Sequence, residues 1–128
     1  MTWDDVVALG GILPGTEVST SYGTPALKVR NKLVTRLRNE DASLVLPSVP
    51  ADERDMLIAA EPEVFHVTPH YEGYPIVLAR LPSLYAERLW PFLVRRWREL
   101  APKRAVADFD QRRAENLRTD PADTAPGR

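Results

Sequence analysis

The sequence contains no cysteine among its 128 residues. Disulfide bonds, thiolate zinc sites and thiol nucleophiles are therefore excluded for this chain. No apolar run approaches the roughly 20 residues that a membrane-spanning helix needs. The first residues, Met1 to Asp5, lack the basic and apolar segments of a signal peptide. By elimination we expect a cytoplasmic protein without a membrane partner.

The sequence has no excess of charge of either sign, since 17 Lys and Arg and 18 Asp and Glu leave a net charge of −1. The charges are nevertheless unevenly distributed. Residues 18–39 carry a net +5 and residues 82–104 a net +4, whereas residues 40–63 carry −6. Such asymmetry concerns binding partners rather than fold. The sequence thus predicts two basic regions separated by an acidic one.

Hydrophobic periodicity predicts the fold class. It indicates a helix over 3–9, four short strands within 17–46, a helix over 52–61, strands over 64–67 and 75–81, and a long helix over 83–100. The long helix contains Pro91, where we expect a kink. The continuous apolar run of residues 76–79 is typical of a central strand covered on both faces. This order predicts an α+β fold, with helices packed on a single antiparallel sheet.

The chain length suits one domain, which we place at residues 1–104. Residues 105–128 read as a C-terminal extension. Its first part is predicted to be helical, with Val106, Phe109 and Leu117 as weak apolar anchors. From about Thr119 the composition of Pro, Asp, Ala and Gly predicts a flexible tail.

A predicted hairpin over residues 26–38 sorts its side chains by parity. The odd-numbered Leu27, Val29, Leu33 and Leu37 are apolar, and the even-numbered Lys28, Arg30, Lys32, Arg36 and Arg38 are basic. Successive side chains of a strand point to opposite faces. Odd-numbered residues of both strands share one face only if residue 29 pairs with residue 33. That pairing predicts a three-residue loop, Arg30-Asn31-Lys32, in which Asn31 is suited to positive φ. The pattern therefore predicts one face in the core and one face with up to five cations.

A basic sheet face has several interpretations. Against phosphates it attracts nucleic acid and releases counterions, so DNA is a predicted partner. It also suits an acidic protein partner or a small anion. The structural alternative is a solvated face that keeps the sheet from pairing with other chains. The cations of the second basic region are Arg88, Arg95, Arg96, Arg98, Lys103 and Arg104. For this region too the alternative is structural, namely that its cations form only the solvent-exposed side of a helix.

The remaining candidates for chemistry are few. His66 and His70 stand four apart, but no third ligand is positioned by the sequence, so we predict no metal and no cofactor. The loop with His70, Tyr71 and Tyr74 is a possible site, since tyrosine rings stack on bases; packing within the turn is the alternative. An enzyme built on His70 is a further hypothesis. Because no catalytic constellation is assembled, we predict a non-enzymatic protein.

Several separated strings resemble the MmcQ/YjbR family: Ser21–Val29, Asn31–Leu33, Pro62–Phe65, Thr68–Pro75, and Trp97 with Ala101–Arg104. The Thr-Pro-His-Tyr-x-Gly-Tyr-Pro string is specific, and the match runs in order from about residue 3 to 107. Leu27, where the family usually has an aromatic residue, and Pro91 depart from its pattern. The resemblance implies a small α+β fold of double-wing type and a DNA-binding function. It brings no catalytic residues.

Overall fold

The computed structural model describes the backbone of residues 1–119 and the side chains of residues 1–116. Its elements are α1 (Trp3–Gly10), β1 (Thr16–Ser21), β2 (Thr24–Val29), β3 (Lys32–Arg38), β4 (Ser43–Pro47), α2 (Ala51–Ala60), β5 (Phe65–His66), β6 (Ile76–Arg80), α3 (Ala86–Leu100) and α4 (Lys103–Thr119). Short 3-10 helices span Pro69–Tyr71 and Leu81–Ser83. The predicted flexible tail and the Leu117 anchor lie outside what is described.

The six strands form one sheet in the order β1-β2-β3-β4-β6-β5. Every neighbouring pair is antiparallel. Helices pack on this sheet, so the predicted α+β fold with one antiparallel sheet is confirmed. The order of elements along the chain is also the predicted one.

The main core lies between the sheet and its helices. α1 contributes Val6 to it, and α3 contributes an apolar stripe that includes Leu89, Leu93 and Trp97. Side chains of alternate strand residues meet this stripe, among them Leu44, Leu46, Val77 and Ala79. Burial of these apolar surfaces is the main stabilising contribution to such a fold.

The opposite side of the sheet, which we call the open face, carries a smaller cluster. Val45 and Leu78 pack there against Tyr71, which comes from the loop between β5 and β6. β6 is therefore covered on both faces, with Val77 in the main core and Leu78 under Tyr71. This confirms the prediction made from its continuous apolar run.

Local sequence explains both ends of α1. Thr2 caps the helix by accepting a hydrogen bond from the Asp5 N–H, and the Asp5 carboxylate accepts one from the Thr2 N–H. At the other end, Gly10 allows α1 to approach β2 closely. A Cβ at Gly10 would lie 2.6 Å from Leu27 Cδ1.

α3 continues through Pro91, which occupies its sixth position. α4 spans residues on both sides of the predicted domain end at 104, and its Phe109 is buried in the main core. The Phe109 ring centroid lies 5.0 Å from that of Trp97, and the Trp97 indole N–H donates to Pro14 O at 2.8 Å. Within residues 1–119, no helix has the length and apolarity to cross a membrane.

Candidate functional site

The β2–β3 hairpin turns through two residues. Val29 pairs with Lys32, which leaves only Arg30 and Asn31 in the loop. Both have positive φ, 53° and 66°, as a type I′ turn requires. The predicted three-residue loop is therefore wrong, while positive φ at Asn31 is confirmed. A tight turn of this type matches the twist of the flanking strands and is favoured for that reason.

The two-residue loop places even-numbered residues of β3 on the core side near the turn. A β-bulge then returns the following even-numbered residues of β3 to the open face. Lys28 pairs with Leu33, but Leu27 pairs with Thr35, so β3 holds one extra residue, Val34. Beyond the bulge Ala26 faces Arg36. Leu33 consequently lies on the open face, although it was predicted to lie in the core.

The five predicted cations do not share one face, and that prediction is wrong. Lys28, Arg36 and Arg38 lie on the open face, as their pairing with Leu33, Val45 and Ser43 shows. Arg30 occupies the turn, and Lys32 pairs with the core residue Val29. The physical reason is the two-residue loop, which places Lys32 on the helix side of the sheet.

The open-face cations have different electrostatic surroundings. Arg38 is 3.6 Å from a Glu40 carboxylate oxygen and 3.5 Å from one of Asp41, so its charge is compensated within the chain. Arg36 donates to Thr24 Oγ1 at 3.3 Å and to the Tyr71 hydroxyl. No carboxylate of the described part of the chain forms an ion pair with Arg36.

Three cations gather towards the loop end of the hairpin, and we call Lys28, Arg30 and Lys32 the hairpin cations. Arg30 and Lys32 are exposed, and Lys28 is half-buried opposite Glu17 in the β1–β2 register. None of the three has a carboxylate partner at ion-pair distance among residues 1–116.

The second basic region is largely neutralised. Each of its four arginines in α3 pairs with an acid: Arg88 with Glu61, Arg95 with Glu53, Arg96 with Glu99, and Arg98 with Asp110. The Glu53 carboxylate raises the pKa of Arg95, chiefly by hydrogen bonding. Since α3 lies on the helix side, this region does not join the open face. Lys103 and Arg104 are exposed at the start of α4.

A cavity of about 540 Å³ opens on the open face beside the small cluster. We call it the open-face cavity. Its lining combines four aromatic rings, three aliphatic side chains and one cation: Tyr22, His70, Tyr71, Tyr74, Leu33, Val45, Ile76 and Arg36. The predicted loop residues His70, Tyr71 and Tyr74 are thus brought together. Tyr71 is buried, whereas Tyr74 is 57% exposed.

Tyr22 enters the cavity from the β1–β2 turn. Its side chain is 92% exposed, and the Arg36 guanidinium carbon lies 5.5 Å from its ring centroid. Tyr22 has φ of 52° and Gly23 has φ of 75°. A left-handed conformation is rare for a residue other than Gly, Asn or Asp. The turn therefore presents this ring to solvent at a cost in backbone energy.

Arg54 positions the loop that carries Tyr74. It is buried on α2, and its guanidinium donates to Glu72 O at 3.3 Å and to Tyr74 O at 3.2 Å. Neither Arg54 nor Tyr22 was predicted as a site residue. Arg54 stands among acids and looks like a solvated helix charge. For Tyr22, the following Gly23 was the only sign of a left-handed turn, and nothing in the sequence indicated that its side chain is exposed.

The two histidines have separate environments. His66 Nε2 lies 2.9 Å from Ser43 Oγ and 3.6 Å from an Asp41 carboxylate oxygen. Burial lowers the pKa of His66, and the nearby Arg80 charge acts in the same direction. His70 is exposed, with its ring centroid 4.7 Å from that of Tyr71. Among the described residues there is no group of three or more potential metal ligands.

Comparison with curated proteins finds relatives in mycobacteria. The chain is 32% identical over 122 residues to the uncharacterized protein Rv2570 of Mycobacterium tuberculosis, covering 84% of this chain and 95% of the relative. The same values hold for the uncharacterized protein Mb2600 of Mycobacterium bovis. No family model matches the chain, and no solved structure matches it significantly.

Proposed function

We propose that this chain, which belongs to one family with the two mycobacterial proteins just described, binds nucleic acid through phosphate contacts at the loop end of its β2–β3 hairpin. It acts there as a binding protein rather than an enzyme. Phosphate contacts of this kind position a nucleic acid without reading its sequence. DNA is the partner that the MmcQ/YjbR resemblance also implies, and that resemblance remains a prediction.

One observation carries the proposal: the hairpin cations lack carboxylate partners, whereas the α3 arginines all have them. A cation already paired with a carboxylate loses that pair when it binds a phosphate, which offsets part of the gain. An exposed cation without a partner only releases solvent and counterions. Arg30 and Lys32 are both exposed. Lys103 and Arg104 are exposed as well, but they are only two, whereas the hairpin holds three cations within residues 28–32. The hairpin loop is therefore the favoured contact.

Fluorescence anisotropy of labelled duplex DNA and of a labelled single strand at low salt tests the proposal. A double variant, Arg30→Gln with Lys32→Gln, removes two hairpin cations. We expect it to weaken binding about tenfold or more, since each charge-assisted contact contributes on the order of 1 kcal/mol. Gln is tolerated at both exposed positions, so the fold is retained.

The matched control is Lys103→Gln with Arg104→Gln, which lowers the net charge equally at the exposed start of α4. We expect the control variant to bind like the wild type. Equal loss in both double variants would show an unspecific charge effect and contradict the hairpin as the contact. Absence of binding to either DNA, together with nuclease-resistant capture of an acidic protein, would replace the proposal with the protein-partner alternative.

A further inference from the structure

We infer that the open-face cavity receives an unpaired base of the bound strand, so that the protein binds single-stranded nucleic acid more tightly than duplex. This inference rests on the proposed function and names its ligand more closely. It depends on three features of the cavity: its exposed aromatic rings, the charge of Arg36, and the contacts that fix its walls.

The first feature is the aromatic lining. At about 540 Å³ the cavity falls within the roughly 300–1,000 Å³ of typical small-ligand sites. The exposed rings of Tyr22 and Tyr74 offer π-faces at its edge, and Leu33, Val45 and Ile76 add apolar surface. Any base stacks on such a ring, and stacking of this kind is tolerant of sequence. A planar, partly apolar group is therefore the favoured occupant.

The second feature is the charge. Arg36 is the one lysine or arginine that lines the cavity in the described part of the chain, and its hydrogen-bond partners there are the hydroxyls of Thr24 and Tyr71. Guanidinium groups bind phosphate oxygens and the acceptor atoms of base edges. A nucleotide supplies both a planar ring and an anion, so it matches the ring and cation together.

The third feature is preorganisation. Arg36 donates to the hydroxyl of Tyr71, and Tyr71 packs on Val45 and Leu78. Arg54 donates to the carbonyl groups of Glu72 and Tyr74. One wall of the cavity is thus fixed before a ligand arrives, which lowers the entropic cost of binding.

The cavity also lies on the same sheet face as Lys28, whose pairing with Leu33 places the two side chains together. Leu33 lines the cavity. A strand whose phosphates pass Lys28 at this end of the hairpin therefore has bases beside the cavity. Duplex bases are stacked and paired and enter such a site only after extrusion, which costs a few kcal/mol. This cost is the origin of the single-strand preference.

The experiment compares three labelled ligands of equal length at one salt concentration: a single strand, the duplex, and a single strand made of abasic nucleotides. The abasic strand keeps the phosphates and lacks the bases. We expect the ordinary single strand to bind about tenfold more tightly than the other two, as expected from one stacked base. Equal affinity for all three would overturn the inference and leave the proposed function standing. No binding of any of them would overturn both.

Variants assign the effect to the cavity. Tyr22→Asn removes the ring and keeps a residue suited to the left-handed turn; we expect single-strand affinity to fall about fivefold or more, with duplex affinity unchanged. Tyr85→Asn is the matched control, because Tyr85 is 53% exposed and does not line the cavity. If Tyr22→Asn and Tyr74→Ala both leave single-strand affinity unchanged, the inference is wrong. If a free mononucleotide displaces the labelled strand as effectively as an unlabelled strand does, the inference that the base belongs to a bound strand is also wrong.

Discussion

Tyr22 has a backbone conformation that its residue type disfavours and a side chain that is almost wholly in solvent. The left-handed region costs an ordinary residue roughly 1–2 kcal/mol, and the contact of Arg36 with the exposed ring offsets only part of that cost. We therefore expect Tyr22→Asn to raise the free energy of unfolding by about 1 kcal/mol. Urea unfolding measures this as a higher midpoint with an unchanged slope. A lower midpoint would show that the ring stabilises the fold.

His66 gives stability a dependence on pH. Its pKa in the folded chain lies below the ordinary value of 6.5, so the unfolded chain binds more protons between those two pKa values. The free energy of unfolding therefore rises with pH through that window and levels off above about pH 7. We expect His66→Gln to remove this rise, which urea unfolding at a series of pH values measures. Identical pH profiles for both proteins would contradict this role of His66.

At the residue scale, one loop was predicted as a candidate site, but the residues from other elements that complete the cavity were not. His70, Tyr71 and Tyr74 were predicted from one motif, and they do lie together. Tyr22 is far from them in sequence and reaches the cavity through the sheet register, while Arg54 reaches the loop from α2. Neither of these two positions follows from local sequence, because both depend on how elements distant in sequence pack together.

At the scale of elements, α2 holds the loop between β5 and β6 through Arg54. Removing its guanidinium leaves the carbonyl groups of Glu72 and Tyr74 without these donors. We expect Arg54→Met to lower the free energy of unfolding by about 2–3 kcal/mol and to increase hydrogen exchange in residues 72–76. Arg104→Met, at an exposed position of α4, is the matched control and should change neither. Equal effects in both variants would refute this role of Arg54.

The elements themselves were predictable because apolar spacing follows the period of each one. The hairpin turn was not, since residue parity fits a three-residue loop as well as a two-residue loop followed by a bulge. The second arrangement is the one found, with Arg30 and Asn31 in the turn and Val34 as the extra residue. The arrangement found buries Val34 and uses a turn whose twist matches that of the strands, and residue parity expresses neither property.

At the scale of the whole molecule, the charge pattern predicted two basic regions, and the fold separates them. Acids from the segment between them neutralise part of the second region, as Glu53 does for Arg95 and Glu61 for Arg88. These pairs join residues that are 42 and 27 positions apart, so sequence alone gave no sign of them. The hairpin cations keep no ion-pair partner within residues 1–116, and one of them, Lys28, lies beside Leu33 of the cavity.

The salt dependence of duplex binding tests this account most directly. Three hairpin cations that neutralise about three phosphates give a slope of log affinity against log salt of about −3, since each phosphate contributes about −0.9. We expect the slope to be about −1 in the double variant Arg30→Gln with Lys32→Gln. Absence of binding at low salt, or the same slope in the wild type and the variant, would contradict the account.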